Sequence, residues 1–274
     1  MARPLRLEVA DGIHHVTARS NAEVTLFADD VDRRRFLRCF ETVLADAGWF
    51  SLAYCLMGTH YHLLVETPEP NLADGMRDLN SSYARAWRDR RDNRGRVFAG
   101  PYFSKLVQTD AYLLVAARYV VLNPVAAHLC RRPDGWAWSS FRDTCRGATS
   151  PVLHPARLLR FFDERRTEAR VAYRRFVEDE TVPEYDVQDN GLLGDVPFAL
   201  AHIPEELPSR WIPSRFLTPR RPPLETILAG RSREEGAVVA HVEHGYVLRE
   251  IADTLGVHRS TVCRWVRRRA TNWT

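Results

Sequence analysis

The chain has 274 residues, 45% apolar and 27% charged, with a formal net charge of +4; this is the balance of an ordinary water-soluble globular protein and does not by itself name a nucleic-acid partner. No apolar run approaches the roughly 18–20 residues of a membrane span, Met-Ala-Arg-Pro-Leu-Arg-Leu-Glu lacks the apolar core of a secretory leader, and five scattered cysteines without a C-x-x-C pair read as free thiols of a reducing cytoplasm. The length allows one good-sized core and a smaller module, so two units are expected.

Gly12 to Ala18 suits a first strand. Asp29 and Asp30 cap a helix whose apolar positions Val31, Phe36, Leu37, Phe40 and Leu44 recur at helical spacing, and Gly48 ends it. Phe50 to Met57 and Tyr61 to Glu66 form two strands joined by a turn at Gly58. Asn71 caps a helix reaching about Arg90, broken by Asp92-Asn93-Arg94-Gly95; Tyr102 to Gln108 reads as another strand, and Asp110 begins a helix carrying Tyr119. The order strand, helix, strand, strand, helix, strand, helix fits an α+β sandwich of the split βαβ, ferredoxin-like kind, with the Tyr61–Glu66 strand central.

That strand region holds the most informative stretch, His60-Tyr61-His62. Side chains two apart on a strand share a face, so the two imidazoles form a chelating pair. The simpler alternative is a strand-end histidine beside a hydrogen-bonded core histidine. Further on, Tyr119 and Asn123 stand one helical turn apart on a common face, so a phenol and a carboxamide can be offered together to whatever the histidines hold. Pro124 biases Asn123 out of the helical region, which places the pair at a helix end or kink. Taken alone, Tyr119 reads as a core tyrosine.

The segment M-x-x-H-Y-H-L-L-V-E-T-P (Met57 to Pro68), taken with D-x-Y-L-L-x-x-x-R-Y-V-x-L-N-P-V (Asp110 to Val125), resembles the single-tyrosine HUH transposases, most closely the REP-associated tyrosine transposases. Arg3-Pro4-Leu5-Arg6 and His15-Val16-Thr17-Ala18-Arg19 are similar to the family's first strand, and Trp136-Ala137-Trp138-Ser139-Ser140 to the segment after its catalytic helix. The resemblance is strong up to about residue 145 and looser beyond. Two departures stand out: Gly58-Thr59 replaces the usual Pro-Asn before the first metal histidine, and Gly100-Pro101-Tyr102 replaces Gly-Arg-Tyr, which removes a cation.

The resemblance implies that His60 and His62, with Asn123 as third ligand, bind one Mg²⁺ or Mn²⁺, a hard ion being favoured over zinc where no cysteine or third-histidine cluster accompanies the pair. It implies that Tyr119 attacks a phosphodiester of single-stranded, hairpin-forming repeat DNA, giving a 5′-phosphotyrosyl enzyme and a free 3′-OH. Two readings compete: a non-catalytic sequence-specific DNA-binding regulator, and a metal-dependent DNA hydrolase without a covalent intermediate. Both a monomer and a homodimer are compatible with the sequence.

From Pro151 to Glu180, Leu158, Leu159, Phe161, Phe162, Ala172 and Phe176 mark helical connectors, and Thr181 to Pro223 is a proline-dense linker. Ala237 to His244 suits a helix, and Tyr246 to Trp265 looks like a helix-turn-helix: Ala252 permits close helix approach, Gly256 the tight turn, Val257 and Val262 the packing between helices. Arg259, Ser260, Thr261, Arg264, Arg267 and Arg268 would meet phosphates or base edges. From Trp211 to Thr274 eleven arginines face six acidic residues, a net +5 that leaves the remaining chain near −1. A helical protein-interaction module is the alternative for this segment.

The expected organisation is an HUH single-tyrosine transposase catalytic domain over 1–147, a helical connector over 148–180, a proline-rich linker over 181–232 and a helix-turn-helix DNA-binding domain over 233–274. The expected protein is cytoplasmic and nucleoid-associated, with single-stranded hairpin DNA as substrate, duplex DNA as a partner of the helix-turn-helix, and no membrane partner.

Overall fold

The computed structural model describes residues 7–22, 24–92, 94–108, 111–179, 192–193, 198, 201–202, 224–242, 248–258, 261–262 and 264–265. Its contacts divide the chain into two units, Met1–Gly194 and Asp195–Thr274. In the first, β1 (Gly12–Arg19), α1 (Asp30–Ala47), β2 (Phe50–Leu56), β3 (His60–Thr67), α2 (Leu72–Arg91), β4 (Phe103–Val107) and α3 (Ala111–Ala126) follow the expected order. The strands lie in the order β2-β3-β1-β4, each pair antiparallel, which is the ferredoxin-like arrangement with the histidine strand inside the sheet.

Local chemistry explains the helix starts. The Asp29 carboxylate accepts from the backbone N–H of Val31 at 2.9 Å and Asp32 at 3.1 Å, capping α1. Asn71 precedes α2 as expected, but its side chain makes no cap hydrogen bond. Its oxygen accepts from the Trp49 indole N–H at 2.6 Å and its amide donates to the Ala47 carbonyl at 3.1 Å, tying the end of α1 to the start of α2. Trp49 also explains Gly75: a Cβ there would lie 2.3 Å from the indole ring, so only glycine lets α2 approach this closely. At the far end, the carboxylate of Asp32, 1% exposed, is gripped by Arg90 at 2.7 Å and Arg91 at 2.5 Å from the last turn of α2.

Strand alternation divides the core into two layers. Val16, Ala18, Tyr61, Leu63 and Val65 pack with Phe36 and Phe40 of α1 and Met76, Leu79 and Tyr83 of α2. Ile13, Leu64 and Val107 pack on the other face with Leu113, Ala116 and Val120 of α3. The same layer takes Phe141 from α4 (Phe141–Arg146), Leu158 and Leu159 from α5 (Pro155–Leu159), and Ala169, Tyr173 and Val177 from α6 (Arg166–Glu178). The β2 edge is paired by residues 138–140, which lowers the hazard of an unpaired edge there. Residues 136–140 run along β2, with Leu56 N–H donating to Trp138 at 2.9 Å and the Trp136 indole donating to Leu56 at 3.1 Å. A two-residue strand, β5 (Leu192–Leu193), pairs parallel with β4.

α3 runs through Pro124 to Ala126, which leaves Asn123 in the last turn of the helix. The Asn123 carbonyl accepts from Ala127 N–H at 2.9 Å, which carries the helical pattern past the proline.

The second unit contains α7 (Leu224–Leu228), α8 (Arg233–Val242) and α9 (Leu248–Leu255) around Leu224, Ile227, Ala237, Ala240, Ile251, Ala252 and Val262. Gly256 has φ +63°, the left-handed conformation expected of the turn, and Val257 N–H donates to Ala252 O at 3.0 Å. Thr261 and Val262 are again helical. Arg3–Arg6, Asp110, nearly all of the proline-dense stretch 181–223, and Arg259, Ser260, Arg267 and Arg268 lie outside the described residues. Among the described residues no helix is long and apolar enough to cross a membrane.

Candidate active site

The register of the sheet assembles the site. Thr17 pairs with His62 and Arg19 with His60 across β1 and β3, while His15 pairs with Lys105 across β1 and β4. Directly paired residues share a face, and this face is the one that Leu64 buries against α3. His60 and His62 come together as expected, their ring centroids 5.1 Å apart at 81°. Tyr119 descends from α3 onto the same group, 5.5 Å from the His62 ring and 5.6 Å from the His15 ring, edge-on to both. Asn123 sits one turn further along, its amide donating to the Tyr119 carbonyl at 2.8 Å.

Burial dominates the electrostatics. It lowers the pKa of His15 to about 3, with the nearby Lys105 charge as the second cause. His60 is lowered to about 4 by burial and then by Arg19. His62 lies well below its ordinary value, again chiefly from burial, with His15, His60 and Arg19 adding to it. All three imidazoles are therefore neutral near pH 7 and keep a lone pair each. Burial raises the Tyr119 phenol, against the opposing pull of a hydrogen bond from Asn123 and the charge of Arg19.

The nitrogen contacts decide whether the pair suits a metal. His62 Nδ1 stands 3.0 Å from His15 Nε2 and 3.1 Å from Thr17 Oγ1, whereas His62 Nε2 is buried without a hydrogen-bond partner. His60 Nδ1 is 3.2 Å from Thr59 Oγ1. Each ring is thus anchored through Nδ1. The Thr59 departure from the family pattern supplies the anchor for His60. Among the described residues no group of three or more His, Cys, Asp and Glu stands ready for a metal. The fit for a divalent cation rests on the orphaned His62 nitrogen, its His60 neighbour and the neutral carboxamide on the facing helix. A cleft of about 490 Å³ lined by α1 and α2 residues holds none of these groups and lies on the other face of the sheet.

Sequence reasoning missed four members of the constellation: His15, Thr17, Arg19 and Lys105. Lys105 is the only lysine of the chain and is fully buried. The spacing of His15, Thr17 and Arg19 at every second residue of a strand would have placed them on one face; that this face is the one holding His60 and His62 needed the register. In the second unit, Thr261 is half-buried after the turn and Arg264, one helical turn on, is exposed.

Residues 8–123 match the family described as Transposase IS200 like, a span that includes His60, His62, Tyr119 and Asn123, and residues 230–271 match the family described as Homeodomain-like domain. A search of curated proteins returned no match. A solved structure described as that of the REP associates tyrosine transposase bound to a REP hairpin is similar at 18% identity and a TM-score of 0.47, covering 56% of this chain and 92% of that one. The chain is thus similar to the IS200-like transposases over residues 8–123 and to homeodomain-like domains over residues 230–271.

Proposed function

We propose that this transposase cuts and rejoins hairpin-forming single-stranded DNA through a covalent bond to Tyr119, in the manner of the REP-associated tyrosine transposases that its motifs resemble. The observation that carries the reading is the meeting of the Tyr119 ring with His62, 5.5 Å away, beside His60 on one sheet face. A buried core tyrosine would have no need of two neutral imidazoles offering unused nitrogens.

In the proposed reaction the phenol oxygen of Tyr119 attacks the scissile phosphorus and loses its proton. The Tyr119 O–P bond forms as the P–O3′ bond breaks, and the departing 3′ oxygen takes up a proton. The phosphodiester energy is kept in the phosphotyrosine, so a later 3′-OH can reverse the step without an external energy source. His60 and His62, with Asn123, would hold an Mg²⁺ or Mn²⁺ that supplies Lewis-acid polarisation of the phosphate. Asn123 also keeps Tyr119 in place through its hydrogen bond to the Tyr119 carbonyl. The division of labour follows the chain: chemistry within 1–147, backed by the helical segment 148–180, and duplex-DNA contacts from 233–274 through Thr261, Arg264 and the neighbouring Arg259, Ser260, Arg267 and Arg268, with Leu224 and Ile227, from the stretch 181–232 expected as a linker, packed into the core of that second unit.

The test is to mix the full-length protein with end-labelled single-stranded hairpin DNA and Mn²⁺ and to look for an adduct that survives SDS. The adduct is expected. Cleavage without adduct would replace this reading with a hydrolase, and binding without cleavage would replace it with a regulator.

A further inference from the structure

His15 lies 3% exposed between β1 and α3, and the reaction above gives it no role. Its Nε2 is 3.0 Å from His62 Nδ1 and the two rings are nearly coplanar, at 18°. That is the arrangement of an in-plane hydrogen bond between two imidazoles, in which one nitrogen must carry the proton and the other the lone pair. Were the proton on His15, a neutral His62 would accept at Nδ1 and carry its own proton on Nε2. That nitrogen is buried with no hydrogen-bond partner, and orphaned buried N–H groups are what folded proteins avoid. With the proton on His62, Nδ1–H donates to His15 Nε2 and has Thr17 Oγ1 as a second acceptor at 3.1 Å. The orphan on Nε2 is then a lone pair, which a cation can use.

We infer that His15 is a positioning residue: it fixes His62 as the Nδ1–H tautomer and holds the ring so that Nε2 is the nitrogen offered to a ligand. The inference rests on the reading of His62 as a metal ligand. It is a general requirement of imidazole ligation that the second nitrogen be held by a hydrogen-bond acceptor, which sets both tautomer and ring orientation. Here the acceptor is another histidine on the neighbouring strand, 47 residues away in the chain.

The test uses the full-length, metal-free protein labelled with ¹⁵N on histidine. Long-range ¹H–¹⁵N spectra report which ring nitrogen of each histidine is protonated, and the His62 signals are identified by their loss in His62→Gln. Wild-type protein is expected to show His62 protonated on Nδ1. His15→Gln, whose side-chain carbonyl can accept in place of Nε2, keeps that tautomer, while His15→Leu of similar size shifts it towards Nε2–H. Calorimetric titration with Mn²⁺ follows the same order: His15→Leu binds about 10–100-fold more weakly, the usual cost of losing such a partner, and His15→Gln stays within a few-fold of wild type. A wild-type His62 protonated on Nε2 overturns the inference, as does a His15→Leu protein with wild-type tautomer and Mn²⁺ affinity. The wild-type spectrum needs no substitution, so the inference stays exposed to refutation even where His15→Leu does not fold. A wild-type protein with the Nδ1–H tautomer that takes up no Mn²⁺ would support the role of His15 while removing the metal reading of the site.

Discussion

Replacing Tyr119 by phenylalanine removes one oxygen and leaves the ring that packs edge-on against His15 and His62 at 5.6 and 5.5 Å. The structural cost is that of a lost hydroxyl hydrogen bond with Asn123, about 0.5–1.5 kcal/mol. That cost falls on folding stability and removes no contact assigned to the hairpin, so hairpin affinity should stay within a few-fold of wild type. The chemical step has no such tolerance. The other tyrosine on α3, Tyr112, stands seven residues earlier, about 10 Å along the axis at ~1.5 Å per residue, too far to reach a phosphate seated at Tyr119. Tyr119→Phe should therefore abolish the SDS-resistant adduct while hairpin binding, measured by fluorescence anisotropy, survives. An adduct of undiminished yield in Tyr119→Phe would refute the assignment and transfer attention to Tyr112.

His60→Ala and His62→Ala should each remove Mn²⁺ binding measured by calorimetry, together with cleavage in Mg²⁺ and Mn²⁺, and Asn123→Ala should be milder because water can replace a neutral amide; unchanged Mn²⁺ affinity in His62→Ala would rule out the chelate. Asp32→Asn should cost about 2–3 kcal/mol in urea unfolding, somewhat below the ~3–5 of a fully buried broken pair, because Arg90 and Arg91 are 28% and 23% exposed. Burial alone would raise the Asp32 carboxyl, but Arg91 and Arg90 outweigh it and hold the group below its ordinary value. Its stabilisation is therefore complete above the unfolded value near ~4 and fades as the pH falls through the folded one, so Asp32→Asn should flatten the acid limb of the stability curve; a parallel curve would contradict this. Arg264→Ala should weaken binding to long duplex DNA and lower the salt slope by about 0.9 for each phosphate it no longer neutralises, without changing hairpin cleavage at saturation. Wild-type slope and affinity would instead make the second unit a protein-interaction module.

Much of this molecule follows from its sequence because two periods are built into the backbone. A strand turns successive side chains to opposite faces, so His60 and His62 had to share one; a helix returns every fourth residue to the same face, so Tyr119 and Asn123 had to be neighbours. The alternation of strand and helix signals gave the order of elements, and with it the ferredoxin-like sheet that carries the pair on an inner strand. Pro124 stands near the end of α3, one residue after Asn123 in the last turn, while Leu113, Ala116 and Val120 pack earlier in the helix against the sheet.

What the sequence could not contain is which strand faces meet. That His15, Thr17, Arg19 and Lys105 stand on the face of His60 and His62 is a matter of register between β1, β3 and β4, set by long-range hydrogen bonds and by which apolar face the helices bury. The same holds for Asn71, which reads as a helix cap but binds Trp49 instead, and for the helices after Gly147, whose apolar residues join the layer of α3. The sequence alone determined the residues that can do chemistry and the elements that carry them, because those depend on local geometry. Tertiary structure decided which nitrogen His62 has left to offer, because its Nδ1 meets His15 and Thr17 of the neighbouring strand.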